Sequence, residues 1–360
     1  MGKLFIKTWE GAETAPFFQV GGSFVKPTRS AGEYPNATSS AAHCGLKPCT
    51  PPPGMLTAQF MRRPYFFLGG NRGLTQLSSG EAFYVNTEDR WITPWILRSG
   101  RWEVFVDDVL CALARPGDVF VDVGANMGYY SIRIGALVGP QGRVYSFEPN
   151  PETYEFLCDN ITVNDFGARS RLFKAAVGDV AGSAWLSFER PEPGGSTLRN
   201  QQLGLANEMA VPVVRLDDVI EADVAVDLVK IDVEGFEAPA LRGMKAVLAR
   251  SPDAAVVVEL SYMLWAQYGD PVALLKEVAA EREIYRIHHR GHLQLLPKDD
   301  PGSVLEPDFV SYLLLLPPTA ERRAQIAPLL KPSRDPRPYS LRLSRIKRLR
   351  KRLSQWLNEA

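Results

Sequence analysis

The chain has 360 residues, 45% of them hydrophobic, enough for one sizeable core plus appendages. Its 41 basic and 41 acidic side chains cancel overall, and it has no run of 18 or more apolar residues, which excludes a conventional membrane-spanning helix. Four cysteines, at 44, 49, 111 and 158, form no C-x-x-C pair, so a reducing, cytoplasmic setting is expected.

Residues 1–55 are rich in Gly, Pro, Ser, Thr and Ala and close on Cys49-Thr-Pro-Pro-Pro-Gly54, the composition of a disordered arm. His43, Cys44 and Cys49 are too sparse for a zinc site, and the opening seven residues are too short in their apolar part for a signal peptide. Residues 56–117 read as a lead-in with short elements near 82–85 and 92–97, expected to cover one end of the next domain. Its Trp91, Trp95 and Trp102 are read as packing residues.

From residue 118 to 317, strand and helix patterns alternate, which predicts an α/β domain on a mostly parallel sheet. Val119, Phe120, Val121 and Val123 form a short apolar run suited to a strand buried on both faces. Gly124 and Gly128 then allow a sharp turn and a close backbone approach. Ile132, Ile134, Leu137 and Val138 keep helical spacing beyond it. Ligands of open α/β sheets bind outside such strand ends, so this turn is the predicted cofactor floor. A second strand, 142–148, ends in Glu148, 24 residues past Gly124, where a carboxylate is placed to accept ribose hydroxyls. A helix with Tyr154, Leu157, Cys158 and Ile161 on one face follows Pro149-Asn-Pro151. Further strands are expected at 171–177, 224–232 and 255–260, with a terminal hairpin from 283–288 and 309–316.

The turn itself discriminates between cofactors. In the dinucleotide register the glycine positions read Gly124, Asn126 and Tyr129, so two of three glycines are missing, and no Lys-Ser/Thr pair marks a phosphate loop. The spacing Asp122-x-Gly124-x-Asn126-x-Gly128 resembles the first motif of S-adenosylmethionine (SAM)-dependent methyltransferases. That resemblance assigns Asp122 or Asn126 to the methionine amino and carboxylate groups.

Several blocks occur in order: Asp122-Val-Gly-Ala-Asn-x-Gly-Tyr-Tyr-Ser131, Phe147-Glu-Pro-Asn-Pro151, Asn160-x3-Asn164, Ala175-Ala-Val-Gly-Asp179, Leu216-Asp-Asp218, Val229-Lys-Ile-Asp-Val-Glu-Gly-Phe-Glu237, Leu241-Arg-Gly243 and Val258-Glu-Leu260. Together they resemble the FkbM family of SAM-dependent methyltransferases over roughly residues 80–316. The resemblance implies a Rossmann-like methyltransferase sheet, mostly parallel with a C-terminal antiparallel hairpin and helices on both faces. It also implies O-methylation of a hydroxyl on a sugar, glycan or secondary metabolite, and it places Ala176 near the adenine.

Methyl transfer is an in-line displacement, so the protein must align two reactants and take a proton from the acceptor hydroxyl. Asp232, Glu234 and Glu237 cluster across from the predicted turn. Asp232 and Glu234 are candidate catalytic groups, and Glu237 reads as a helix-start carboxylate that favours the helix dipole. Asp232 and Glu259 are candidate oxygen ligands for Mg²⁺. His288 and His289 lie near a later strand end as alternative bases.

Residues 318–360 read as a linker and a basic helix. Within 331–360, ten Lys/Arg face two acids, and Ile346, Leu349, Leu353, Trp356 and Leu357 share one helical face, a pattern suited to an anionic membrane surface or to docking on a net-negative core. Nucleic acid is not expected as a partner, because Asp232-Val-Glu-Gly235 stands where amino-methylating nucleic-acid enzymes carry Asn/Asp-Pro-Pro-Tyr/Phe. Two other classes stay open at this point: a nicotinamide-dependent oxidoreductase on a similar sheet, and a non-catalytic SAM-binding partner protein.

Overall fold

A computed structural model describes residues 63–189, 192–199, 202–205, 207–304 and 310–330. The expected disordered arm and the basic amphipathic helix lie outside these residues. Among the described residues, no helix is long and apolar enough to cross a membrane.

The lead-in forms an antiparallel sheet of β1 (Tyr65–Gly69), β2 (Arg72–Gln76) and β3 (Ala82–Asn86), then α1 (Ile92–Ser99) and α2 (Val104–Leu113). The alternating part follows: β4 (Val119–Val123), α3 (Tyr129–Val138), β5 (Arg143–Phe147), α4 (Pro151–Val163) and β6 (Ser170–Phe173). Next come β7 (Ala176–Val177), β8 (Gly182–Glu189), β9 (Glu192–Arg199) and β10 (Glu208–Val214), with α5 (Leu216–Val219) after them. The chain continues with β11 (Leu228–Ile231), α6 (Glu237–Arg242), α7 (Lys245–Arg250), β12 (Ala255–Ser261), α8 (Tyr262–Trp265) and α9 (Pro271–Val278). It closes with β13 (Glu283–His288), β14 (His292–Leu295), β15 (Val310–Leu316) and α10 (Ala320–Ile326).

The main sheet has eight strands in the order β14-β13-β15-β12-β11-β4-β5-β6. Strands β12, β11, β4, β5 and β6 run parallel, and β15 enters antiparallel between β12 and β13. Successive side chains of a strand point to opposite faces, and both faces here are buried. Phe120, Val144, Leu228 and Val257 join one core with residues of α2, α3 and α4. Val121, Val123, Val229, Ile231 and Val258 join a second core with residues of α6, α7 and α9. The expected helices on both faces are therefore present.

Three differences from the sequence reading stand out. The strand expected over 171–177 is two strands in two sheets: β6 ends the main sheet, whereas β7 pairs with β10 in a separate sheet ordered β7-β10-β8-β9. The register breaks at Lys174 and Ala175, between them. Strands β8 to β10 were not anticipated. Finally, the stretch expected to be a linker from 318 begins with α10, whose buried Arg322 donates to the carbonyls of Leu113, Asp227 and Asp253.

The Asn160-x3-Asn164 block has a structural role. One helical turn apart, the two amides face the edge of β3 and replace a neighbouring strand. Asn160 accepts from the Tyr84 N–H at 2.6 Å and donates to the carbonyls of Tyr84 at 3.1 Å and Met127 at 2.8 Å. Asn164 accepts from Ala82 N–H and donates to its carbonyl. The lead-in sheet is thereby fixed to α4 and to the turn that holds Met127. Asn160→Ala leaves buried main-chain groups unpaired, at about 1–3 kcal/mol each. Urea unfolding should show a loss of roughly 2–4 kcal/mol; a loss below about 0.5 kcal/mol would remove this amide from the set of groups that fix the lead-in.

Candidate active site

The parallel strands β4, β5, β11 and β12 bring their carboxyl ends to one rim. Beyond β4 the chain turns through Gly124 (φ 81°), Asn126 (φ 53°) and Gly128 (φ 87°) before α3 begins. The N–H groups of Gly124 and Ala125 both donate to the Phe147 carbonyl at 2.9 Å, which ties the turn to the end of β5. A Cβ on Gly124 would sit 1.9 Å from the Asp232 carbonyl oxygen. Glycine is thus required here by the neighbouring loop.

Glu148, just past β5, is buried, and its carboxylate is held from two sides. It accepts from the Asn126 N–H and the Asn150 N–H, each at 2.8 Å. Burial raises its pKa against the pull of those two N–H groups. Asp122 sits deeper. Its carboxylate accepts from Ser131 Oγ at 2.6 Å, is fully buried, and is not part of the cavity wall. Asn126 does line the cavity, with its side-chain oxygen turned to the Met127 N–H. Of the two residues expected at the methionine end, the fold presents Asn126 and withdraws Asp122.

Asp232 follows β11, its N–H donating to the Val123 carbonyl at 3.0 Å. Its carboxylate lies 3.2 Å from the Lys230 ammonium and 3.5 Å from the Tyr312 hydroxyl. Lys230 is itself buried, stacked over the Tyr130 ring at 4.9 Å. Burial opposes its charge, but Asp232, Asp122 and Glu103 outweigh that cost and raise its pKa. Glu103 completes the ring of polar groups. It accepts from Tyr312 at 2.6 Å and from Tyr130 at 3.3 Å. Burial, with these carboxylates, pushes both phenols well above their ordinary range, so they remain hydrogen-bond donors.

Gly124, Asn126, Glu148, Lys230, Asp232, Glu234, Glu259, Glu103 and Tyr312 all line one cavity. Four non-glycine described residues have positive φ, namely Glu103 (38°), Asn126, Asp165 and Glu234 (50°), and three of these line that cavity. Such conformations cost about 1–3 kcal/mol each and persist where the surroundings fix them.

Glu237 plays a role different from the helix-dipole one. Its oxygens accept from the N–H groups of Val233 and Gly235 and from Trp265 Nε1, so the carboxyl shapes the loop that carries Asp232 and Glu234. Asp232, Glu237 and Glu259 each offer an oxygen within 4.8 Å of the others. His288 is elsewhere: it ends β13, with β15 between that strand and β12, stacks on His292 at 4.3 Å and contacts Gln294. It is not brought to the cavity. His289 is likewise absent from the wall, and Ala176 lies in the second sheet, paired with Val213.

The sequence reading missed Glu103, Tyr130, Lys230 and Tyr312, and it read Trp91 and Trp102 as packing, whereas both line the cavity; Trp95 does not. Lys230 had a signal, since it lies two positions before Asp232 on a strand and so faces the same side. Leu186, Ser196 and Leu198 of the unanticipated sheet also reach the wall.

Residues 122–285 match the family model described as Methyltransferase FkbM domain. The chain is similar to 31-O-demethyl-FK506 methyltransferase FkbM of Streptomyces tacrolimicus, with 31% identity over 192 residues, 45% of this chain and 72% of that protein. It is similar to hexuronic acid methyltransferase AglP of Haloferax volcanii, with 30% identity over 156 residues, 43% of this chain and 61% of that protein. Methyltransferase sdnD of Sordaria araneosa is 28% identical over 173 residues, 39% of this chain and 66% of its own length. The matched stretch thus spans about two thirds of these relatives.

Burial, and next the Glu259 charge, push the Glu237 carboxyl up to about 8 from 4.5. Its folded-state pKa is raised, so the stability it contributes is present at low pH and is lost as pH rises through that value. Between about pH 5 and about pH 9 the thermal midpoint should fall further in the wild-type protein than in Glu237→Gln. Parallel pH dependences in the two proteins would show that this carboxyl is not protonated in the folded state.

Proposed function

Because the chain belongs to the FkbM family of SAM-dependent methyltransferases, we propose that it transfers the methyl group of SAM to a hydroxyl of a sugar, glycan or secondary metabolite. The observation that carries this reading is the convergence of the glycine turn, Glu148 and Asp232 on a single cavity. The comparisons do not favour a nicotinamide-dependent oxidoreductase.

The residues present fit the cofactor. The turn at Gly124–Gly128 offers main chain without side-chain bulk, and the acid-rich lining suits a sulfonium cation. Glu148 is oriented by two N–H donors and keeps lone pairs for the ribose hydroxyls. Asn126 and the adjoining main chain take the amino-acid end. Ala176 lies off the wall, so the adenine is assigned to Pro149, Leu186 and Leu198, next to Ser196, whose hydroxyl accepts from the Asn150 amide at 3.4 Å. SAM supplies an electrophilic methyl group.

Asp232 is placed to accept at its carboxylate the proton that the acceptor hydroxyl gives up when its oxygen is methylated, S-adenosylhomocysteine being the other product. Lys230 fixes the orientation of that carboxylate, and Tyr312 and Glu103 border it. Glu234 projects from the same loop as a second acceptor-binding group.

A Mg²⁺ role suits the oxygen donors Asp232 and Glu259, but the set as a whole fits a cation poorly. The Lys230 ammonium already neutralises Asp232, and Glu237 spends its oxygens on N–H donors. Chelation should therefore leave turnover intact. Attachment to an anionic membrane surface is assigned to the basic segment beyond residue 330.

Calorimetry tests the cofactor assignment. Glu148→Ala should weaken SAM binding by roughly 10- to 100-fold, the equivalent of about 1.5–3 kcal/mol for hydrogen bonds to a charged group. An unchanged affinity in the folded variant would refute it. For the chemistry, Asp232→Asn should abolish S-adenosylhomocysteine formation across a panel of hydroxylated acceptors while SAM affinity stays within a few-fold. Near-normal product formation by that variant would transfer the base role to another group. Absence of product from the wild-type protein with every acceptor would favour a non-catalytic SAM-binding role.

A further inference from the structure

Successive side chains of a strand point to opposite faces, so an apolar strand at the surface normally covers at least one set. β1 covers neither. Tyr65 and Phe67 lie on one face, 44% and 63% exposed, and Phe66 and Leu68 on the other, 58% and 52% exposed. Its paired neighbour β2 buries Gly73 and Thr75. β1 also ends its sheet, with β2 on one side and no strand on the other among the described residues. The Gly69–Gly70 turn stands clear, since a Cβ on either glycine would meet no described atom within 4 Å.

An apolar ribbon that is bare on both faces, along one edge and at its tip restricts what can cover it. A protein groove covers one face, and a second copy paired edge to edge along β1 leaves both faces in water. A medium that surrounds the ribbon covers all of it, as the interfacial zone of a lipid bilayer does for aromatic side chains. Five residues at about 3.3 Å each fall well short of a hydrocarbon core roughly 30 Å thick, so the strand enters the interface and does not span it.

The neighbouring charge gives the lipid class. From Phe60 to Gly80 the sequence holds Arg62, Arg63 and Arg72 and no acid. Arg72 is paired with Asp159 of α4, so the positive charge available to headgroups comes from Arg62 and Arg63, directly before the strand. Arg63 lies at the surface, its guanidinium donating to the Gln76 carbonyl at 3.1 Å. Apolar insertion and basic charge together hold a protein on an anionic leaflet where either alone is marginal.

We propose that the β1–β2 hairpin inserts Tyr65, Phe66, Phe67 and Leu68 into the interface of an anionic phospholipid bilayer. This adds an apolar contact to the attachment assigned to the basic segment beyond residue 330, and it rests on that reading for the anionic character of the surface. Phe83 of β3, two strand spacings or about 10 Å from β1, lines the cavity, so insertion holds the cavity close to the membrane.

The test uses the full-length protein and vesicles of roughly three parts phosphatidylcholine to one of phosphatidylserine, with flotation as the readout. Binding is measured at low salt and at about 0.5 M salt, where the Debye length is only about 4 Å. The wild-type protein should keep part of its binding at high salt, because apolar insertion is not screened. Phe66→Ser and, separately, Phe67→Ser should each weaken partitioning at least roughly tenfold at both salt concentrations, the equivalent of about 1.4 kcal/mol. Phe66→Trp should retain wild-type binding. An unchanged thermal midpoint shows that each variant is folded, and a folding failure in one serine variant leaves the other to decide. Wild-type binding that vanishes at high salt and is unaffected by either serine variant overturns the hairpin insertion and leaves the attachment of the basic segment standing. Absence of binding at low salt overturns both. A dimer in light scattering that the serine variants dissociate, without vesicle binding, overturns the proposal in favour of a second copy.

Discussion

The Gly124 main chain lies so close to the Asp232 carbonyl that a Cβ would stand 1.9 Å from its oxygen, and the Asp232 N–H in turn donates to the Val123 carbonyl. Two adjacent parallel strands, β4 and β11, therefore end in loops that rest directly on each other. This contact places the glycine turn and the candidate base on one rim. It also explains why the turn opens with glycine at φ 81°, since any side chain would force the loops apart. Glu237 fixes the far side of the same contact through the N–H groups of Val233 and Gly235.

Around that contact the fold buries several ionisable groups. Burial of an isolated charge is costly, and the structure offsets the cost by mutual pairing. Lys230 stands among Asp122, Asp232 and Glu103, and the phenols of Tyr130 and Tyr312 donate to Glu103. Replacing one member leaves the others uncompensated, so the ring behaves as a unit and single substitutions in it should not be additive. Such a ring keeps its carboxylates oriented before a substrate arrives, which is the form of preorganisation that a proton transfer requires.

The parts outside the central sheet complete the site. The lead-in is fixed by Asn160 and Asn164, whose amides stand in for a strand beside β3, and it supplies Trp91, Trp102 and Glu103. The second sheet supplies Leu186, Ser196 and Leu198 at the Glu148 end. The cavity is thus enclosed by pieces that flank or interrupt the alternating pattern, while its floor belongs to the pattern itself.

The sequence by itself determined the local units. The run Val119–Val123, the glycine turn, the helix after it and Glu148 at the next strand end are set by short-range periodicity and backbone freedom, and each stands where its residues predict. It did not reveal which way Asp122 points, because a strand buried on both faces has no polar–apolar alternation to mark the cavity side. Nor did it place His288 away from the cavity, or Tyr312 within it. That depended on β15 entering antiparallel beside β12, a lateral order that no local pattern encodes. Tertiary structure alone joined Glu103, Tyr130, the Lys230–Asp232 pair and Tyr312, which come from four separate parts of the chain, because only packing of both sheet faces brings their elements to one rim.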